Sequence, residues 1–211
     1  MQTDMCTIFS LPLYCLDPKS LEKQKEQLAK VFKREVQYAM GSGVCTFNMA
    51  LCEGSSVFLS RQLIKLRDTQ FPHMKIHIYI PYETQANDWS EDIREPYFQV
   101  QAEADEVFIL SNKLKKGVFH QQNQILMEQA GHLLLLHDNV QGSFLDKLST
   151  YAVAKGMEVQ VLYLKEGPPV PMHLLQKPIL NPVYHQESRS HVRSMYSPGL
   201  SKGKSASNSA W

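Results

Sequence analysis

The sequence predicts an α/β protein, a doubly wound and mainly parallel sheet of about six strands with helices on both faces. Three observations predict it. Short apolar or alternating runs recur from residue 5 to about 164. Between them lie longer segments with apolar residues at helical spacing. Gly, Pro and Ser punctuate the junctions.

The elements follow in order. Met5 to Leu11 (MCTIFSL) is a short apolar strand. A helix follows through Ala39, with Asp17 as cap, Pro18 at its first position, and Leu21, Leu28, Val31, Phe32 and Val36 on one face. Gly41 and Gly43 stop it. Val44 to Met49 is the second strand, and a helix from the serines after Gly54 runs to about Arg67. Met74 to Pro81 alternates Ile76, Ile78 and Ile80 with Lys75, His77 and Tyr79, which marks a strand. A polar loop, YETQANDW, leads to a helix over about Ser90 to Ala104. DEVFIL is the fourth strand, and GVFHQQNQILMEQAG is a helix. HLLLLHD is the fifth strand, GSFLDKLSTYAVAKG a helix, and MEVQVLYL the sixth strand. Alternation of this kind implies parallel strands joined by crossover helices.

Residues 1–164 therefore form the expected domain. Residues 165–185 carry five prolines and are read as a segment wrapping over it. Residues 186–211 are Ser-rich and poor in large apolar side chains, the composition of a disordered basic tail. Such a tail is ordinarily solubilising, and an anionic partner is the alternative reading.

Composition narrows the function. Lys+Arg number 22 against 21 Asp+Glu, so no net field steers the chain to nucleic acid or membrane. No apolar run spans a bilayer, and the N-terminus lacks a signal-peptide pattern. The four cysteines, Cys6, Cys15, Cys45 and Cys52, have no close pairing, which fits reduced thiols and a cytoplasmic setting. His73 and His77 lack a third ligand, so neither a metal nor a cofactor is expected. P-loop and nucleophile-elbow motifs are absent.

In such a sheet, ligands bind beyond the carboxyl ends of the strands. Two helix starts there could hold an anion on free backbone N–H groups. One is Gly54-Ser55-Ser56, where an ordinary Ser-capped helix start is the competing reading, and Glu53 would repel phosphate if turned inward. The other is Gly142-Ser143, preceded by Asp138, and lacking a Glu at the turn it ranks as the better anion site. Asp146, one turn on, is explained by the helix dipole, although a general acid or base would also sit there. His120, Gln121, Gln122 and Asn123 either view the ligand edge or form a solvated helix face. Cys52, near a helix start, would have a lowered pKa, but without a base nearby it reads as a structural thiol.

Pro81 is followed by an E-x-Q-x-x-x-W pattern at Glu83, Gln85 and Trp89, then by Tyr97, Asp105, an H-x-x-N at His120 and Asn123, Asp138, and Gly142-Ser143. In these residues the chain resembles the YpsA-like branch of the SLOG superfamily, Rossmann-like proteins related to DprA and the LOG nucleotide hydrolases. The resemblance covers roughly residues 5 to 164 and is strongest from 75 to 138. Two family loops are altered. The T-G-H-R loop after the first strand is replaced by Ser10-Leu11-Pro12-Leu13. The glycine-rich second loop keeps Gly54 alone, with Ser56 in place of its aspartate. An arginine that would pair with phosphate is thereby lost.

The resemblance implies a nucleotide-like or other small ligand, bound weakly in a partly degraded pocket and not turned over, or else a structural or regulatory partner role. Its residues would be Ser10, Gly54, Ser55, Ser56, Pro81, Glu83, Trp89, Asn123, Asp138, Gly142 and Ser143. Two alternatives stand beside this. One is a LOG-type hydrolase using Asp146 or Asp138 as acid/base, with Asn123 positioning the ligand. The other is single-stranded DNA binding of the DprA kind, aided by the basic tail and Lys113, Lys115 and Lys116. A homo-oligomer formed through apolar helix faces is a further expectation.

Overall fold

Strands buried on both faces must be apolar in both directions, and residues 133–136 (LLLL) supply such a run. A computed structural model describes residues 2–10, 21–137 and 142–163, and the two segments after residue 164 expected from sequence lie outside these. Its strands are β1 (Gln2–Phe9), β2 (Thr46–Ala50), β3 (Lys75–Ile80), β4 (Glu106–Ile109), β5 (Ala130–His137) and β6 (Glu158–Tyr163). All five pairings are parallel, in the order β4-β3-β2-β1-β5-β6. The chain builds outward from β1 to β4, then returns to β5 on the other side of β1. The switch point thus lies between β1 and β5, whose carboxyl ends flank the expected ligand crevice.

The helices are α1 (Leu21–Gly41), α2 (Ser55–Thr69), α3 (Glu91–Glu103), α4 (Val118–Gln129) and α5 (Phe144–Ala154). Helices α1, α2 and α3 cover one face, packing Leu28, Phe32, Leu63 and Tyr97 on Ile8, Phe47, Met49, Ile76 and Ile78. Helices α4 and α5 cover the other, packing Leu126, Met127, Leu145 and Leu148 on Phe9, Tyr79, Leu133 and Leu135. Reversal of strand order with right-handed crossovers requires this division.

Several boundaries move from the expected ones. β1 begins at Gln2 and ends at Phe9, before Leu11. β5 begins at Ala130, taking two residues that helical spacing had assigned to the preceding helix. The polar loop after β3 contains a 3₁₀ turn, Glu83–Ala86. Asp17 and Pro18 lie outside the described residues.

Two polar clamps hold the layers. Asp105 accepts the Ile76 N–H (2.9 Å) and pairs with Arg67 Nη1 (3.2 Å) and Lys75 Nζ (3.1 Å). It joins α2, the start of β3 and the entry to β4 at the amino end of the sheet. Partial burial would raise the Asp105 pKa, but the Ile76 N–H, Lys75 and Arg67 together hold it below the usual value. On the opposite flank, the buried Glu35 carboxylate accepts from Gln160 Nε2 (3.0 Å) and pairs with Arg34 (3.2 Å), tying α1 to β6.

Candidate functional site

The carboxyl ends of four neighbouring strands make one rim. In sheet order, Pro81 follows β3, Leu51 to Ser56 follow β2, Ser10 follows β1, and Gly142-Ser143 follow β5 after a gap. Asp138 lies in that gap, outside the described residues.

The loop after β2 folds back on itself. Leu51 is fully buried, and its N–H donates to Tyr79 O (2.9 Å). The Cys52 N–H donates to Ser56 Oγ (2.8 Å), while the Ser56 hydroxyl donates to Cys52 O (2.6 Å). Gly54 then enters α2 with φ 93°, a conformation that a side chain would strain. No side chain caps α2. Ser55 is 1% exposed, and among the described residues its Oγ finds no partner. Ser56 is buried too, so the first N–H groups of α2 stand at a buried, positive helix end. Glu53 is exposed, directed to solvent rather than into the rim. Cys52 fits the structural-thiol reading, without the lowered pKa that its place near a helix start alone would give. Burial pushes its thiol up to about 11, outweighing the Ser56 hydrogen bond, so it is a neutral thiol at physiological pH.

The start of α5 is different. Ser143 Oγ accepts the Asp146 N–H (3.2 Å), and the Gly142 N–H donates to Asp146 Oδ2 (2.6 Å). This is a capping arrangement that satisfies helix-start donors with the chain's own groups. A carboxylate already sits where an incoming anion would accept from Gly142.

The third loop is scaffold. Gln85 is buried, and its Nε2 donates to Leu51 O (3.0 Å) and Tyr97 Oη (2.9 Å). Trp89 packs edge-on against Tyr97, with ring centroids 5.0 Å apart. The E-x-Q-x-x-x-W pattern therefore pins the β2 loop to α3. Pro81 is buried at the end of β3, and Glu83 is exposed while its N–H donates to Ser111 O (2.9 Å).

On the other side, α4 presents Gln122, which sequence reasoning left among a polar group of undecided role. It is buried, and its Nε2 donates to Tyr79 O (2.8 Å). Its i, i+4 spacing between Val118 and Leu126 was the available signal, a polar residue on an apolar stripe. Asn123 flanks this stripe half-buried, and His120 is exposed. Ser10 ends β1 half-buried, with its hydroxyl unpartnered among the described residues. The rim thus brings Ser10 and Gly54 to Ser56 together on adjacent strands, while Trp89 and Glu83 serve the frame or solvent. No cluster of three metal-ligating side chains and no helix long and apolar enough to cross a membrane occur among the described residues.

Comparison with known proteins agrees with this architecture. The YpsA family model, described as the YspA SLOG family, matches residues 19–166, well over half of the chain. The chain is also similar to UPF0398 protein ABC2016 of Shouchella clausii (strain KSM-K16). They are 33% identical over 78 residues, which is 36% of this chain and 42% of that protein. The chain thus spans less than half the length of that relative. The protein belongs to the YspA SLOG family.

Proposed function

We propose that the chain binds a nucleotide-like ligand, with the ligand's phosphate at the amino end of α2, and does not turn it over. Family membership supports a nucleotide-related role. The observation that carries the finer reading is Ser55, 1% exposed, whose hydroxyl has no partner among the described residues, at a helix start without a side-chain cap. Buried donors without acceptors are costly, and an anion at a helix amino end satisfies them. Gly54 at φ 93° keeps the backbone bare for close approach.

Binding without turnover follows from the side chains around it. The loop after β1 has no arginine to pair with phosphate, so backbone N–H groups and serine hydroxyls carry the contact. Cys52 is held as a neutral thiol, and Asp146 is engaged in capping α5. The expected affinity is weaker than micromolar.

Isothermal titration with a panel of nucleoside monophosphates and diphosphates tests this. Saturable binding that Ser55→Val weakens, with no release of free base, supports the reading. Absence of binding across the panel, or release of base, contradicts it.

A further inference from the structure

A parallel sheet has two edges, and most proteins protect them with a lysine, a proline, a bulge or a covering segment. The β4 edge lacks these devices among the described residues. Its four residues, Glu106-Val107-Phe108-Ile109, are all exposed, with Val107 and Phe108 at 36% and Ile109 at 48%. Its register with β3 is unbroken from His77↔Glu106 to Ile80↔Ile109. No described element pairs with its outer side.

Charge is asymmetric along this edge. Glu103 and Glu106 precede or open the strand, with Asp105 between them already paired to Arg67 and Lys75, and Lys113, Lys115 and Lys116 follow it. Leu114, among those lysines, is 55% exposed. Beside the strand lies an open groove of about 610 Å³ lined by His77, Tyr79, Glu106, Phe108 and Glu128. Tyr79 and Phe108 stack there at 4.7 Å, giving an aromatic floor under two carboxylates.

We infer that β4 pairs antiparallel with β4 of a second copy about a two-fold axis, forming a continuous twelve-stranded sheet of two six-stranded halves. Antiparallel pairing reverses the second strand, so its basic exit runs along the acidic entry of the first. Leu114 and its flanking lysines then meet the groove bearing Glu106 and Glu128. The contact is self-complementary, and the two-fold pairs the β4 edge of each copy with that of the other, so this interface closes at two. The inference is independent of ligand binding at the rim.

The test is sedimentation equilibrium of the full chain, with circular dichroism confirming the fold of each variant. Wild type forms a concentration-dependent dimer. Glu106→Lys and Ile109→Lys each weaken it by about tenfold or more, because each change acts twice across the axis. Combining Glu106→Lys with Lys113→Glu and Lys115→Glu restores it. A monomer at every concentration overturns the inference, as does a dimer unaffected by either single change. So does a monomer whose residue 106–109 amides resist hydrogen exchange, which would assign the edge to the chain's own C-terminal segment.

Discussion

The helix starts at α2 and α5 share a sequence pattern, a strand, a glycine, a serine and a helix. They solve the same problem in opposite ways. At α5, Ser143 and Asp146 close the donors, the latter by accepting the Gly142 N–H at 2.6 Å. At α2 the N-cap is Gly54, and Ser56, two residues after it, is spent on the loop, exchanging hydrogen bonds with Cys52. Ser55, the serine directly after Gly54, is buried, and among the described residues its hydroxyl has no partner. A helix start capped by its own side chains has less to offer an anion than one without a side-chain cap. The sequence ranked α5 as the better anion site, and this difference is the reason we propose α2 instead.

Four changes sharpen or break this comparison. The largest effect is expected for Gly54→Ala. A side chain at φ 93° costs about 1–3 kcal/mol, measured by denaturant unfolding, and nucleotide binding is lost with it. Gln85→Leu is next. It removes the donor to Leu51 O and Tyr97 Oη, destabilises by about 1–3 kcal/mol, and weakens binding by loosening the β2 loop. Asp146→Ala costs about 0.5–2 kcal/mol by uncapping α5 while leaving nucleotide affinity nearly unchanged. Loss of binding in that variant would return the site to α5.

The smallest effect concerns the frame alone. Asp105 has a folded pKa below its unfolded value of about 3.9, so its stabilisation is present above that value. It is lost as pH falls through the lower folded value. Thermal melts of Asp105→Asn should lie below wild type near neutral pH and converge with it in acid, with nucleotide binding at neutral pH intact.

Legibility in the sequence followed the range of the interaction. The alternation of Ile76, Ile78 and Ile80 depends on neighbours two residues away, and it located β3 almost to the residue. Asp146, one turn into α5, was readable as a helix-start residue for the same reason. Gln85 was visible as part of a pattern, but its acceptors are a carbonyl on another loop and a hydroxyl on α3. Its role as a tie, rather than a ligand contact, is a tertiary fact. Cys52 shows the same limit. Proximity to a helix start argued for a lowered pKa, and burial reversed the sign. Which serine caps and which lies open depends on where each hydroxyl points, and spacing alone does not encode that.

The most direct measurement is an amide ¹H–¹⁵N titration of the full chain with AMP. The account predicts saturable shifts concentrated at Gly54, Ser55, Ser56 and Val57, with Gly142 to Lys147 nearly still. Shifts confined to Gly142 to Lys147, or none at either helix start, would contradict it.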